Sequence, residues 1–127
     1  MGWLRAAVGV GLLVAPGRFL RLSNREAPSG VSVLLMRTIG IRDLVLGVGT
    51  VMAARRGSGG DLRRWTSAGL ASDSLDVLAS LVAAESIGAI EAAGAAGAAL
   101  AFAVGDVVAL GSLGDRPELT GPEGTVR

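Results

Sequence analysis

Apolar residues gather in four blocks along the chain, at about 3–22, 31–54, 65–84 and 87–111, parted by short segments rich in Arg, Gly, Pro or Glu. None of the blocks alternates with period two, all are longer than an ordinary strand, and the fourth is built largely of Ala, a poor strand former. The pattern therefore predicts helices throughout and an all-α fold. The second block would make about 36 Å of helix at 1.5 Å per residue, enough to cross a hydrocarbon core of about 30 Å. Pro16 and Gly17 interrupt the end of the first block, and its unbroken part, Ala6 to Ala15, has the length of a signal-peptide core. No small-x-small cleavage site follows, because Ala15 is succeeded by Pro16, so the segment is expected to be retained as a first helix.

The breaks carry their own signals. Arg55 and Arg56 close the second block, Gly57-Ser58-Gly59-Gly60 turns the chain, and Asp61 is placed to cap the helix that follows. Only Glu85 and Ser86 part the third and fourth blocks, which predicts a tight antiparallel hairpin. The tail, 112–127, is polar and punctuated by Pro and Gly, and is expected to be a disordered end outside a domain that covers 1–111.

Composition turns a helical protein into a membrane one. Hydrophobic residues make up 50% of the chain, charged residues 18%, and mean hydropathy is +0.56; soluble domains carry about 25% charged residues. The expected architecture is a four-helix transmembrane bundle, multi-pass in the cell membrane, with the lipid bilayer as its first partner. A soluble helical bundle is the alternative, because the first block is short for a span. Arg5, Arg55, Arg56, Arg63, Arg64, Arg116 and Arg127 fall on one side of such a bundle and Arg18, Arg21 and Arg25 on the other, which places both termini in the cytoplasm. Trp3 and Trp65 enter on one side, as interfacial anchors do. For close packing in lipid, the fourth block offers a stripe of small residues, Ala93, Gly97, Ala101 and Gly105, and the second a weaker one, Gly47 with Val51 or Gly49 with Ala53.

Several chemistries are excluded at once. The chain has no Cys, His or Lys, so disulfides, thiolate nucleophiles, the usual zinc and copper sites, Schiff bases and the phosphate-loop lysine are absent. A net charge of +1 gives no field for gathering nucleic acid, and nucleic acid is not an expected partner. No cofactor is assigned.

What remains is charge inside the apolar blocks: Arg37, Arg42 and Asp43 in the second, Asp73 and Asp76 in the third, Glu91 and Asp106 in the fourth. A charge at the bilayer centre costs about 2.5–3.5 kcal/mol even on the lenient insertion scale. Arg42, Asp43, Asp73 and Asp76 fall at the middle of their blocks, so they are expected to face inward and pair. Asp73 and Asp76 share a helix face, and Arg42 is the expected partner of both, since a guanidinium can serve two carboxylates. Asp43, about 100° around the helix from Arg42, is expected to turn to another helix or to backbone. Arg37 and Glu91 lie at similar depth and are expected to pair, and Asp106 is expected to reach the interface near Arg63 and Arg64. Acids outnumber bases inside the blocks, so at least one inner carboxyl is expected to be protonated or to hold a cation or a cationic ligand. Asp73, Asp76, Arg42 and Asp43 are thus the candidate catalytic residues, and Arg37 and Glu91 the candidate binding residues. The Asp-x-x-Asp spacing also occurs in magnesium-binding motifs of prenyl and phosphoalcohol transferases, but the rest of that pattern is missing and no metal is assigned.

Gly40-Ile41-Arg42-Asp43-Leu44-Val45-Leu46-Gly47, followed by Ala68-Gly69-Leu70-Ala71-Ser72-Asp73-Ser74-Leu75-Asp76, resembles the signature of a family of small four-helix integral membrane proteins of high-GC bacteria, classed as a domain of unknown function. The likeness covers roughly 5–110, implies a four-span bundle, and brings no reaction with it. Two functions follow from the residues themselves. Either the Arg/Asp cluster forms a binding or acid–base site for a lipophilic small molecule, or the chain is an accessory or structural subunit that meets a homo-oligomer or another membrane protein through its small-residue stripe, the cluster only locking helix register. Proton or small-solute transport is a third.

Overall fold

The computed structural model describes the chain over 1–23 and 29–114, without the side chains of Ser23, Ile87, Ala89 and Glu91. Five helices account for nearly all of it: α1 (Gly2–Val14), α2 (Pro16–Ser23), α3 (Gly30–Arg55), α4 (Gly59–Ile87) and α5 (Ala89–Gly114), with no strand among the described residues. The expected all-α fold is present. α4 and α5 are each long and apolar enough to cross a membrane. α3 has the length, but every eighteen-residue stretch of it holds three charges drawn from Arg37, Arg42, Asp43 and Arg55.

The first block is two helices rather than one. Pro16 has no N–H to continue the ladder of α1 and pushes Ala15 out of the helical region, to φ −133° and ψ 51°. The chain bends there by 97°.

Local chemistry explains the other boundaries. Ser58, not Asp61, caps α4: its hydroxyl accepts from the Asp61 N–H at 3.2 Å, which leaves Asp61 in the first turn, where its charge suits the helix dipole. Glu85 and Ser86, expected in the turn, are helical, and Gly88 makes the turn instead with φ 94°, a conformation side chains disfavour. α5 runs three residues past 111 into the segment read as tail; the remainder, 115–127, lies outside the described residues.

The helices pack as two antiparallel pairs, α1 on α3 and α4 on α5, joined chiefly where α3 meets α4. Glycine builds the first pair. A methyl added at Gly9 would fall 2.5 Å from the Leu44 nitrogen and 2.7 Å from the Gly40 oxygen, and one at Gly47 would fall 2.7 Å from the Gly2 oxygen. The two backbones touch, as they do where membrane helices meet through small residues. Two matching patterns run against each other, Gly2-x-x-Arg5-x-x-x-Gly9 on α1 and Gly40-x-x-Asp43-x-x-x-Gly47 on α3. Gly49 lies under the ring of Trp65, 2.5 Å from Cε2 for an added methyl, so Trp65 packs against α3. Trp3 is exposed and stacks with the Arg55 guanidinium at 5.1 Å.

The stripe on α5 does not hold the bundle together. Ala93, Gly97 and Ala101 are exposed, and only Gly105 meets a neighbour, the Met1 side chain. The inward residues are Ala92, Ala99, Ala103 and Asp106. Turning Asp106 inward fixes the helix rotation, and at about 100° per residue Gly97 then lies on the opposite side of α5.

Candidate functional site

The interior combines charged side chains with mostly small apolar ones, Leu12 and the alanines at 6, 53, 92, 99 and 103, while most of the large apolar residues lie outside. Asp73 is the largest fully buried side chain, with Arg5, Asp43 and Asp106 buried close by. Leu34, Leu35, Ile41 and Val45 of α3, Leu75, Leu78 and Leu81 of α4, and Val104, Val107 and Val108 of α5 all face outward.

Arg5 is the hub. Its Nη1 donates to Asp73 Oδ1 at 3.1 Å and its Nη2 donates to Asp73 Oδ2, so the pair is bidentate. The same Nη2 donates to Asp106 Oδ2 at 3.0 Å, and Nη1 lies 3.6 Å from Asp43 Oδ1. The face of the guanidinium rests 4.7 Å from the Phe102 ring centre. Three carboxylates, one each from α3, α4 and α5, thus close around a cation from α1. Gly69 leaves the room: a methyl there would sit 2.5 Å from Asp106 Oδ2 and 3.4 Å from Arg5 Nη2.

Arg42 forms a second centre. Its Nη1 donates to Asp76 Oδ1 at 2.8 Å, and its Nη2 lies 2.7 Å from Asp76 Oδ2 and donates to Asp43 Oδ1 at 3.2 Å. Asp43 therefore touches both arginines, and the chain of contacts runs unbroken from Asp76 through Arg42, Asp43 and Arg5 to Asp73 and Asp106. The Arg42 Nε is buried and has no partner among the described residues.

A cavity of about 560 Å³ opens beside this second centre. Arg42, Asp43, Asp73 and Asp76 form its polar end, and Val8, Leu12, Phe19, Met36, Ile39, Phe102 and the alanines at 79, 83, 95, 98 and 99 form its apolar wall. The volume lies within the range of small-molecule sites. A second cavity of about 470 Å³ lies toward the start of α1, the end of α5 and the α3–α4 turn, with Asp106, Thr50, Thr66 and Arg55 among its lining residues.

The sequence expectations divide here. Arg42, Asp43, Asp73 and Asp76 meet at one level, as expected. Arg42 does not serve Asp73, however, because Arg5 reaches Asp73 first from α1. Asp43 turns to another helix, as expected, meeting Arg5 of α1, and also accepts from its neighbour Arg42, whose long side chain folds back across the roughly 100° between them. Asp106, expected near Arg63 and Arg64, is buried on Arg5. Arg37 is exposed and makes no ion pair with a described residue; its expected partner Glu91 has a side chain outside the described residues. Arg5, expected among the flanking arginines on the terminal side, is instead buried in the bundle. Its buried companions Gly2, Gly9 and Leu12 follow it at helical spacing, and that shared face was the available signal. No group of three or more Asp or Glu side chains is arranged to hold a metal ion among the described residues. Compared with family models, with curated proteins and with solved structures, the chain finds no match.

Proposed function

We propose that this chain is a small four-helix integral membrane protein, akin to the family its Gly-x-Arg-Asp and Asp-x-x-Asp segments resemble, whose cavity beside Arg42 binds a lipophilic small molecule. The observation that carries the reading is the inverted distribution of side chains. In water, a core of Arg5, Asp43, Asp73 and Asp106 under a coat of exposed Leu, Ile and Val would waste most of the hydrophobic drive. In lipid the same distribution is favourable: the coat meets acyl chains and the charges satisfy one another. Hydroxyls on the flanks are also provided for, since Thr38 and Ser74 donate to the carbonyls of Leu34 and Leu70, one turn back.

Placed this way, α3, α4 and α5 cross as full spans and α1 with α2 makes a bent fourth element. Withdrawing Arg5 from the surface leaves six arginines on the terminal side against three on the other, so the positive-inside bias still favours cytoplasmic termini. Within the cavity Asp76 is the accessible carboxylate, at 37% side-chain exposure. It is the group that exchanges a proton with a bound ligand, Arg42 holds it in place, and Asp43 supports Arg42 from behind. An oxygen on the ligand would also give the buried Arg42 Nε its missing acceptor.

The test is retention. Protein purified in lipid-free detergent, then extracted into organic solvent, is expected to release a lipophile seen by mass spectrometry, and Ala98→Phe, which fills the cavity from an exposed position on α5, is expected to lose it. Equal recovery from both proteins would overturn the site. A second reading, an accessory subunit, is favoured by the outward stripe of Ala93, Gly97 and Ala101, a smooth surface on which another helix can lie.

A further inference from the structure

The two cavities lie on opposite sides of the Arg5 cluster, and the carboxylates are divided between them. Asp106 lines the cavity on the terminal side, while Asp43, Asp73 and Asp76 line the one beside Arg42. Beside Asp106 the terminal cavity offers acceptors to a hydrogen-bond donor, and Arg55 and Met1 are also in its lining. The hydroxyls of Thr50 and Thr66 spend their protons on the carbonyls of Leu46 and Leu62, at 2.8 and 2.9 Å, which leaves oxygen lone pairs beside the Asp106 carboxylate. Water carrying a proton fits such a lining. Charge balance points the same way: among the described residues the four carboxylates of Asp43, Asp73, Asp76 and Asp106 form ion pairs only with Arg5 and Arg42, two positive charges for four negative, a shortfall within the cluster that a proton can meet.

We propose that the cluster is a proton relay between the two cavities, and that the protein lets protons cross the membrane. A fixed guanidinium repels a proton moving along a water wire, so the path has to go around Arg5. The geometry supplies the detour. Asp106 Oδ2 and Asp73 Oδ2 both contact the same Nη2, which puts the two oxygens within reach of one bridging water. A proton arriving from the terminal cavity binds Asp106. The O–H bond breaks there and a new one forms on Asp73 through that water, while Arg5 stays bound to whichever carboxylate carries the charge. Release follows into the cavity beside Arg42. This inference shares the membrane placement with the reading above and needs no lipophile.

Purified protein is reconstituted into phosphatidylcholine vesicles loaded with a pH-sensitive dye, with potassium and valinomycin to compensate charge, and a pH step is applied. The wild-type protein is expected to speed decay of the gradient at least tenfold over protein-free vesicles. Asp106→Asn is expected to return the rate to that baseline, and Thr66→Val, which leaves every ion pair in place, to slow it several-fold. Helix content measured in the same vesicles separates a blocked path from a lost fold. Wild-type decay equal to that of empty vesicles, or folded Asp106→Asn decaying as fast as wild type, would overturn the relay; lipophile retention alongside either result would leave the cavity reading standing.

Discussion

Arg5 and Arg42 are the same side chain in the same bundle, each bidentate to one aspartate, yet their surroundings set them to different work. The Arg5 side chain is 3% exposed and holds carboxylates from three other helices. The Arg42 side chain is 30% exposed, its main partner Asp76 is 37% exposed, and both line a cavity. A buried charge whose partners are buried too is costly to orphan, whereas a half-exposed pair that water in the cavity can reach is screened and contributes little. The comparison assigns stability to Arg5 and chemistry to Arg42.

Removing Arg5 is the severest way to break that assignment. Arg5→Ala would leave Asp73 and Asp106 without a cation and Asp43 with Arg42 alone, and truncating one partner of a buried ion pair costs about 3–5 kcal/mol. Equilibrium unfolding in mixed micelles of rising dodecyl sulfate, followed by helical circular dichroism, should register a loss of this size or a failure to fold. Arg5→Lys should recover only part of it, because an ammonium has no planar fork to serve Asp73 and Asp106 together. A folded, fully stable Arg5→Ala protein would show that the two arginines had been assigned the wrong way round.

The second prediction asks whether Arg5 owes its place to the glycines on either side. Gly9→Leu or Gly47→Leu would force the backbones of α1 and α3 apart, since even a methyl meets main-chain atoms there. Overpacking of this kind costs about 1–3 kcal/mol. The same micelle titration should detect it, and the separation should also weaken the 3.6 Å approach of Arg5 to Asp43. An unchanged midpoint would mean that the ion pairs alone position α1.

Those glycines also mark the limit of what the sequence disclosed. Hydrophobic block lengths located α3 within one residue at either end, and the membrane cost of charge brought Arg42, Asp43, Asp73 and Asp76 to one level. Both inferences rest on properties that single residues carry. The partner of Asp73 was not legible in the same way, because pairing depends on how each helix is rotated and how deep it sits. Arg5 lies near the chain start yet reaches the middle of the bundle, because α1 begins alongside Gly47 rather than at the end of α3. The bend at Ala15 belongs with the readable features, since Pro16 and Gly17 had already marked the break.

Arg42→Ala sharpens the comparison from the other side. Water entering the cavity on this side screens the pair, so its link to Asp76 should contribute about 1 kcal/mol or less to stability, whereas a dry cavity would raise that toward the cost of a lone charge in the membrane. The variant should therefore fold and show a small shift in the micelle titration while losing the retained lipophile. A loss of several kcal/mol without a change in retention would mean that both arginines are structural, and would move the cavity out of consideration.

The smallest effect is expected on the outer face of α5, where the comparison has no hold. Ala101 and Gly97 are exposed, and among the described residues nothing beyond the local helix backbone lies within 4 Å of where a Gly97 methyl would stand. Substitutions at such sites usually change stability by less than about 0.5 kcal/mol. Ala101→Leu should thus leave the isolated chain unchanged in micelles, and Gly97→Leu nearly so, the gain in helix propensity partly offsetting anything lost. Any larger consequence must come from outside the chain. Cross-linking in native membranes distinguishes the cases, because a wild-type adduct that disappears in Ala101→Leu would identify the stripe as a helix-docking surface and favour the accessory reading. The same adduct in both proteins would leave the stripe facing lipid, and the interior of the bundle would carry the function alone.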